Sequence, residues 1–266
     1  MLKKVINISI IVLIISLFSS CSSYQKLLKS EDDALKYEKA ISYYNDGNYY
    51  KALQLFDQLV TVYRGTSKAE KIYYYYANCY YQQKDYVLAN YYFNRYAKNY
   101  PKSPLTEECY FMAAYCKFLD SPAYNLDQES TYDAIKELQL FVNRYPNSDR
   151  VEECNKYLDI LRDKLEKKDY NIAKLYYNMS EYKSAICAFN NLLKTYPDSK
   201  HKEEILLYLM KTYYYYANNS ITSKKKSRYQ SAEDAYNSLI TLFPTTKYIK
   251  SANTIHNNIL KELKQL

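Results

Sequence analysis

An all-α solenoid of five stacked helical pairs, closed by a C-terminal helix, is the fold this sequence predicts, and three observations predict it. The first is repetition: AISYYNDGNYYKALQLFDQLVTVYR, from residue 40, is rewritten as YANCYYQQKDYVLANYYFNRYAKNYP, from residue 76. Laid over each other, the copies match Ala40 with Ala77, Tyr43 with Tyr80, Tyr49 with Tyr86, Ala52 with Ala89 and Phe56 with Phe93, always 37 residues apart. The second is a closing phrase that returns as VYRGTS at 62–67, NYPKSP at 99–104, RYPNSD at 144–149, TYPDSK at 195–200 and LFPTTK at 242–247. The third is composition: 266 residues with 48% hydrophobic side chains can bury a sizeable core, yet 2 Gly and 6 Pro are too few to punctuate a sheet-rich fold.

Within each copy, small and aromatic residues recur at helical spacing on either side of a polar break, NDGN or QQKD, so each unit reads as two amphipathic helices and a tight turn. An Ala on each helix lets the backbones approach, and Phe56 or Phe93 fills the space beside it. The closing phrase stops one helix and starts the next. Pro cannot continue a helix, and the Ser or Thr two residues later can accept from the free N–H groups that follow. Ser67 with Glu70 has the spacing of a capping box. This pattern of small residue, aromatic, turn, aromatic, Ala, aromatic and Pro resembles the tetratricopeptide repeat. The resemblance implies a right-handed solenoid whose first helices line a concave side.

In chain order, MLKK precedes an apolar run from Val5 to Phe18 and then Ser19, Ser20 and Cys21. A basic start, a run too short to span a bilayer comfortably and small residues at the end make residues 1–20 a signal peptide. Cys21 after two serines resembles a bacterial lipoprotein box, which implies cleavage before Cys21, diacylglycerol on its thiol and palmitate among the acyl chains. Ser22 and Ser23 lack the Asp that would favour the inner membrane, so the outer membrane is expected. Residues 21–33 are expected to be a lipidated polar tether, and 34–266 the repeat domain. Its units fall at about 34–66, 67–102, 103–147, 148–198 and 199–245, with a cap at 246–266. The third pair, with Ala134 and Leu138 in packing positions, is split by a Pro-containing insertion at 119–130. A charged helix from about Asp149 to Asn178 leads into the fourth, marked by Ala173, Ala185 and Phe189. The fifth, marked by Ala232, carries a basic interruption at 220–228, and the last helix covers the open end.

No catalytic residue, metal site or cofactor is expected. His201 and His256 are the two histidines and neither sits in a ligand pattern, while Gly47 and Gly65 as the only glycines leave no phosphate loop. A formal charge of +8, two units of it from Lys3 and Lys4 in the leader, is too modest to argue for nucleic acid. Cys79, Cys109, Cys116, Cys154 and Cys187 are odd in number and lack framework spacing, which favours small apolar packing over disulfides.

The lipidated Cys21, short tether, five pairs, third-pair insertion, long helix and cap together resemble the BamD family of outer membrane protein assembly factors, over essentially the whole chain. That likeness implies a non-enzymatic scaffold, lipid-anchored at the periplasmic face of the outer membrane. Its partners would be the periplasmic domains of the barrel insertase BamA, other subunits of the assembly machinery and unfolded barrel precursors. From the repeat register itself, groove-facing positions hold Tyr37, Tyr74 and Tyr170, then Tyr44, Tyr81 and Tyr177, then Asn45, Gln82 and Asn178. Tyr supplies contact area at little entropic cost and an amide can bond an extended backbone, so these residues are expected to bind a partner. They are expected to stand exposed, with Tyr43 and Tyr80 packed. A different envelope repeat lipoprotein, serving division or peptidoglycan coordination, shares most of these features, and a glycan-binding lipoprotein shares fewer. Cys21→Ala is expected to release or mislocalise the protein; normal membrane attachment of the variant, with no labelled fatty acid on the wild type, would exclude a lipid there.

Overall fold

The computed structural model describes residues 23–266, which form helices and short turns with no strand among them. After a short helix over residues 23–28 (α1), five pairs follow. They are α2 (Asp33–Asn45) with α3 (Tyr49–Val62), α4 (Ala69–Gln82) with α5 (Tyr86–Asn99), α6 (Thr106–Asp120) with α7 (Glu129–Arg144), α8 (Val151–Asn178) with α9 (Tyr182–Thr195) and α10 (Lys202–Asn218) with α11 (Thr222–Leu242). The last helix is α12 (Ile249–Leu263). The all-α helix-pair fold with a C-terminal helix is therefore the observed one. Two compact units compose it: residues up to Pro122 with Gln128–Leu158, and Ala123–Asp127 with Asp159–Leu266. In the first, each helix from α2 to α7 packs on the next; in the second, α10 packs on α9 and α11, and α12 covers α10 and α11.

The turns inside the first, second and fourth pairs are built the same way. Gly47, Lys84 and Ser180 occupy one repeat position and all take positive φ, 74°, 63° and 62°. The next residue then donates back over the helix end, Asn48 N–H to Tyr43 O at 2.8 Å, Asp85 to Tyr80 at 3.0 Å and Glu181 to Tyr176 at 2.9 Å, satisfying carbonyls that would otherwise be open. Only the first copy uses Gly, the residue for which this conformation is free of strain. Side chains of Asn48 and Asp85 then cap α3 and α5, accepting from Lys51 and Leu88 N–H groups at 3.3 and 3.1 Å.

The closing phrases perform as their sequence implies: Ser103, Ser148, Ser199 and Thr246 accept, through their hydroxyl oxygens, from the N–H groups of Leu105, Arg150, His201 and Tyr248 at 3.0–3.2 Å. The capping box does not form. Glu70 instead reaches across the pair, where its carboxylate accepts from the Tyr96 hydroxyl at 2.9 Å and from Ser103. Glu166 and Ser199 repeat that link at 2.5 Å in the second unit. A carboxylate in the first helix of a pair thus holds the serine that ends it.

Alanine and phenylalanine sit where close approach requires them: Ala40, Ala52, Phe56, Ala77, Ala89, Phe93, Ala134, Leu138, Ala173, Ala185, Phe189 and Ala232 are fully buried. Ala252 and Ile259 of α12 join Leu206, Met210 and Leu239 in one core. Cys79, Cys109, Cys116 and Cys154 are buried free thiols and Cys187 is an exposed one. Two stretches differ from expectation. Residues 23–28 of the polar tether are helical, because Tyr24 buries its ring and donates its hydroxyl to Lys51 O at 2.9 Å and Gln54 Oε1 at 3.0 Å. Most of the basic interruption likewise belongs to α11, where Arg228 stacks 3.8 Å over Tyr216 and donates to Ser220. Phe93→Ala is expected to destabilise the protein by about 3–5 kcal/mol in urea unfolding. Tyr132→Ala, at a position 61% exposed on α7, should change stability by less than about 0.5 kcal/mol.

Candidate functional site

The groove positions of the sequence fall on the first helices of their pairs: Tyr37 and Tyr44 on α2, Tyr74 and Tyr81 on α4, Tyr170 and Tyr177 on α8. None stands free. All six are half-buried, as are Tyr43 and Tyr80, so the contrast expected between exposed and packed tyrosines is not found. The cause is the neighbouring pair. Tyr44 meets the edge of Tyr75 at 4.7 Å, and Tyr75 stacks on Phe56 at 5.7 Å with the rings 5° apart. In the second unit the same triplet recurs: Tyr177 meets Tyr208 at 5.3 Å, and Tyr208 stacks on Phe189 at 5.9 Å. Tyr81 contacts Tyr115 at 6.3 Å, which continues to Phe118 and Tyr157. Tyr75, Tyr115, Phe118 and Tyr208 therefore belong to these aromatic seams. Phe118 lies 37 residues after Tyr81, a signal that the repeat register already contained.

At the N-terminal ends of the seams, cations take the place of rings. Lys68 lies 5.3 Å from both Tyr37 and Tyr63, and Lys174 lies 5.0 Å from Tyr170 and 4.9 Å from Tyr208. Tyr170 also stacks on His201 at 5.8 Å, and its buried hydroxyl faces Glu204 without closing a hydrogen bond among the described residues. Asn45, Gln82 and Asn178, which follow the seam tyrosines, are exposed and make no side-chain hydrogen bond among the described residues. Rings held on one side and open amides beside them form a surface that can pack a side chain and bond a backbone together. Cys21, the expected lipid site, lies outside the described residues.

Burial pushes the seam phenols up, Tyr44 and Tyr177 to about 12, with Tyr74, Tyr81 and Tyr170 also raised. Among the described residues no group of three or more His, Cys, Asp or Glu side chains could hold a metal, and no helix is long and apolar enough to cross a membrane.

Helical pairs of this kind, joined by aromatic seams and carrying polar groups at the seam ends, define a tetratricopeptide-type scaffold. A family model described as "YfiO: Outer membrane lipoprotein" matches residues 29–228, and the chain belongs to that family of outer-membrane lipoproteins. It is similar to outer membrane protein assembly factor BamD of Caulobacter vibrioides, 27% identical over 120 residues, or 45% of this chain and 39% of that one. It is also similar to BamD of Buchnera aphidicola, 28% identical over 90 residues, or 34% of this chain and 37% of that one. The match thus spans about two-fifths of the length of these curated relatives. Among solved structures, the TPR2AB-domain:pHSP90-complex of yeast Sti1 aligns over 85% of this chain and 98% of its own, with 10% identity and a TM-score of 0.39.

The raised phenols give a pH dependence of definite sign. A folded-state value above the ordinary 10.0 means that the folded protein holds these protons more tightly. The stability they contribute is fully present below pH 10 and is lost as pH rises toward 12. Helix content and phenolate absorbance followed together in an alkaline titration should change in that window; phenolates appearing with helix content intact throughout would contradict seam burial.

Proposed function

We propose that this chain is a lipid-anchored scaffold at the periplasmic face of the outer membrane that works in the β-barrel assembly machinery. In this reading it binds the periplasmic domains of the insertase BamA, contacts other machinery subunits and helps receive unfolded barrel precursors. Two relatives named as outer membrane protein assembly factors support it. The observation that carries the binding role is the recurrence, on α2, α4 and α8, of a seam tyrosine followed by an exposed amide: Tyr44 with Asn45, Tyr81 with Gln82 and Tyr177 with Asn178. An unfolded segment offers apolar side chains and unpaired backbone groups together, which is what rings and amides jointly receive.

The leader over 1–20 and the acyl chains on Cys21 belong to the same proposal. Burial of Tyr24 gives the anchor a short reach: three residues extend by at most about 11 Å, so the first pair would be held close to the membrane surface. Several acyl chains make such an attachment durable.

The experiment separates binding from folding. Asn45→Ala, Gln82→Ala and Asn178→Ala combined remove open amides and no packing, so the melting temperature should be unchanged. Capture of the BamA periplasmic domains should weaken by roughly 1 kcal/mol per bond lost. Co-purification of division or peptidoglycan-binding proteins in place of BamA would move the function to another envelope process.

A further inference from the structure

The second helices of the first unit carry a feature that the tyrosine seams do not use. Two clefts open there one repeat apart, about 300 Å³ between α3 and α5 over α4, and about 330 Å³ between α5 and α7 over α6. Their floors are repeat-equivalent, Tyr73 in one and Tyr110, 37 residues on, in the other. Each floor carries a guanidinium: Arg95 lies 5.7 Å from the Tyr73 ring centre and Arg144 lies 4.1 Å from that of Tyr110. The two arginines come from different turns of their helices, so the clefts share the repeat position of the tyrosine and, for the cation above it, the chemistry alone.

Charge sets these clefts apart. Arg64 and Arg95 line the first and Lys98 and Arg144 the second, and none of the four forms an ion pair among the described residues. Arg150 and Arg162, by contrast, are both paired, with Glu108 and Glu153 and with Asp198. Each cleft also holds one carboxylate, Asp57, which accepts from the Tyr76 hydroxyl at 2.8 Å, or Glu137. Two cations and one carboxylate leave an excess of one positive charge per cleft. Beside the second, Tyr91 and Leu140 are half exposed, at 52% and 50%.

We propose that this pair of clefts binds an extended acidic peptide segment of a partner protein, one carboxylate side chain to each cleft, with an apolar neighbour against Tyr91 and Leu140. A guanidinium lying on a ring face turns its N–H edge outward for a bidentate carboxylate; the edge of Arg95 carries only a long bond, 3.4 Å, to the Tyr91 hydroxyl, which an incoming carboxylate would replace. A single charge matches the excess in each cleft, whereas a phosphate dianion would bring a second charge toward Asp57 or Glu137. Successive helical pairs stack about 10 Å apart, which an extended chain covers in about three residues. The clefts open between second helices and share no residue with the seam amides, so the site can stand or fall apart from the assembly role.

The probe is a fluorescein-labelled peptide with two Phe-Glu pairs three residues apart in a Gly-Ser background, titrated by anisotropy against the whole mature protein. Saturable binding is expected, weakened by added salt and lost when Gln replaces Glu in the peptide. Arg95→Gln with Arg144→Gln should weaken it by about tenfold or more, and Arg162→Gln should leave it unchanged. Arg64→Gln with Lys98→Gln probes the same clefts without touching the stacked arginines, and must also weaken binding if the double variant melts early. Equal affinity for the Glu and Gln peptides, or wild-type affinity in both double variants, overturns the proposal. So does binding to phosphatidylglycerol vesicles that these variants abolish while the peptide fails to bind, which would assign the clefts to lipid headgroups.

Discussion

Close approach of alanines within each pair is the constraint on which the rest of the molecule depends. Ala40 and Ala52, Ala77 and Ala89, and Ala173 and Ala185 lie on the two helices of their pairs and have no exposed surface. A methyl group is the largest side chain that lets two helices sit this near, and added methylenes at such contacts typically cost about 1–3 kcal/mol through forced shifts. Here a shift would be transmitted. Phe56 and Phe189 fill the space beside the alanines and stack on Tyr75 and Tyr208 of the next pair, so the spacing inside one pair sets the seam to its neighbour.

A chain with 37 Tyr and no Trp must also place its hydroxyls. The fully buried Tyr96 ring sends its oxygen to Glu70 and Ser103, Tyr229 bonds Asn218 at 2.5 Å and Tyr196 bonds Asp169 at 3.2 Å. Rings occupy the interior while oxygens emerge at edges where a partner waits. Burial of the ring contributes as any large apolar side chain does, and the satisfied phenol avoids the penalty of an orphaned donor. The carboxylate in the first helix of a pair therefore has two functions: it satisfies a core tyrosine, as Glu70 does for Tyr96, and it ties the closing phrase to the helix that opened the pair.

Much of this was legible in the sequence because it is periodic. The alanine and phenylalanine positions, the polar turns and the Ser after each YP phrase recur in the same order from unit to unit, and each performs one local task. Contacts that cross between elements were not legible. Glu70 and Ser67 have capping-box spacing, but a carboxylate in the first turn has a second choice, and a serine 33 residues away at the other end of the pair offers a better one. Tyr24 looked like part of a tether because nothing within residues 22–33 shows where its ring could go; the receiving surface is α3. The half-burial of Tyr44, Tyr81 and Tyr177 is not legible within their own repeats, because the rings that cover them, Tyr75, Tyr115 and Tyr208, belong to the following pair, while Tyr37 and Tyr74 meet rings of their own pairs.

The run Tyr73–Tyr76 shows why tyrosine composition alone says so little. Successive residues on an α-helix turn by about 100°, so four identical side chains face four surroundings. Tyr73 floors the cleft beneath Arg95, and Tyr74 packs inward on Phe93 and Tyr96 of its own pair. Tyr75 turns back to Tyr44 and Phe56 of the preceding pair, while Tyr76 places its hydroxyl between Asp57 and Tyr80. One stretch thus joins the core of its pair, the seam to the pair before and the outer cleft. A substitution anywhere in it alters stability and surface chemistry together, which is why binding on either face has to be separated from folding through the amides and cations at the edges, which lie outside the buried core.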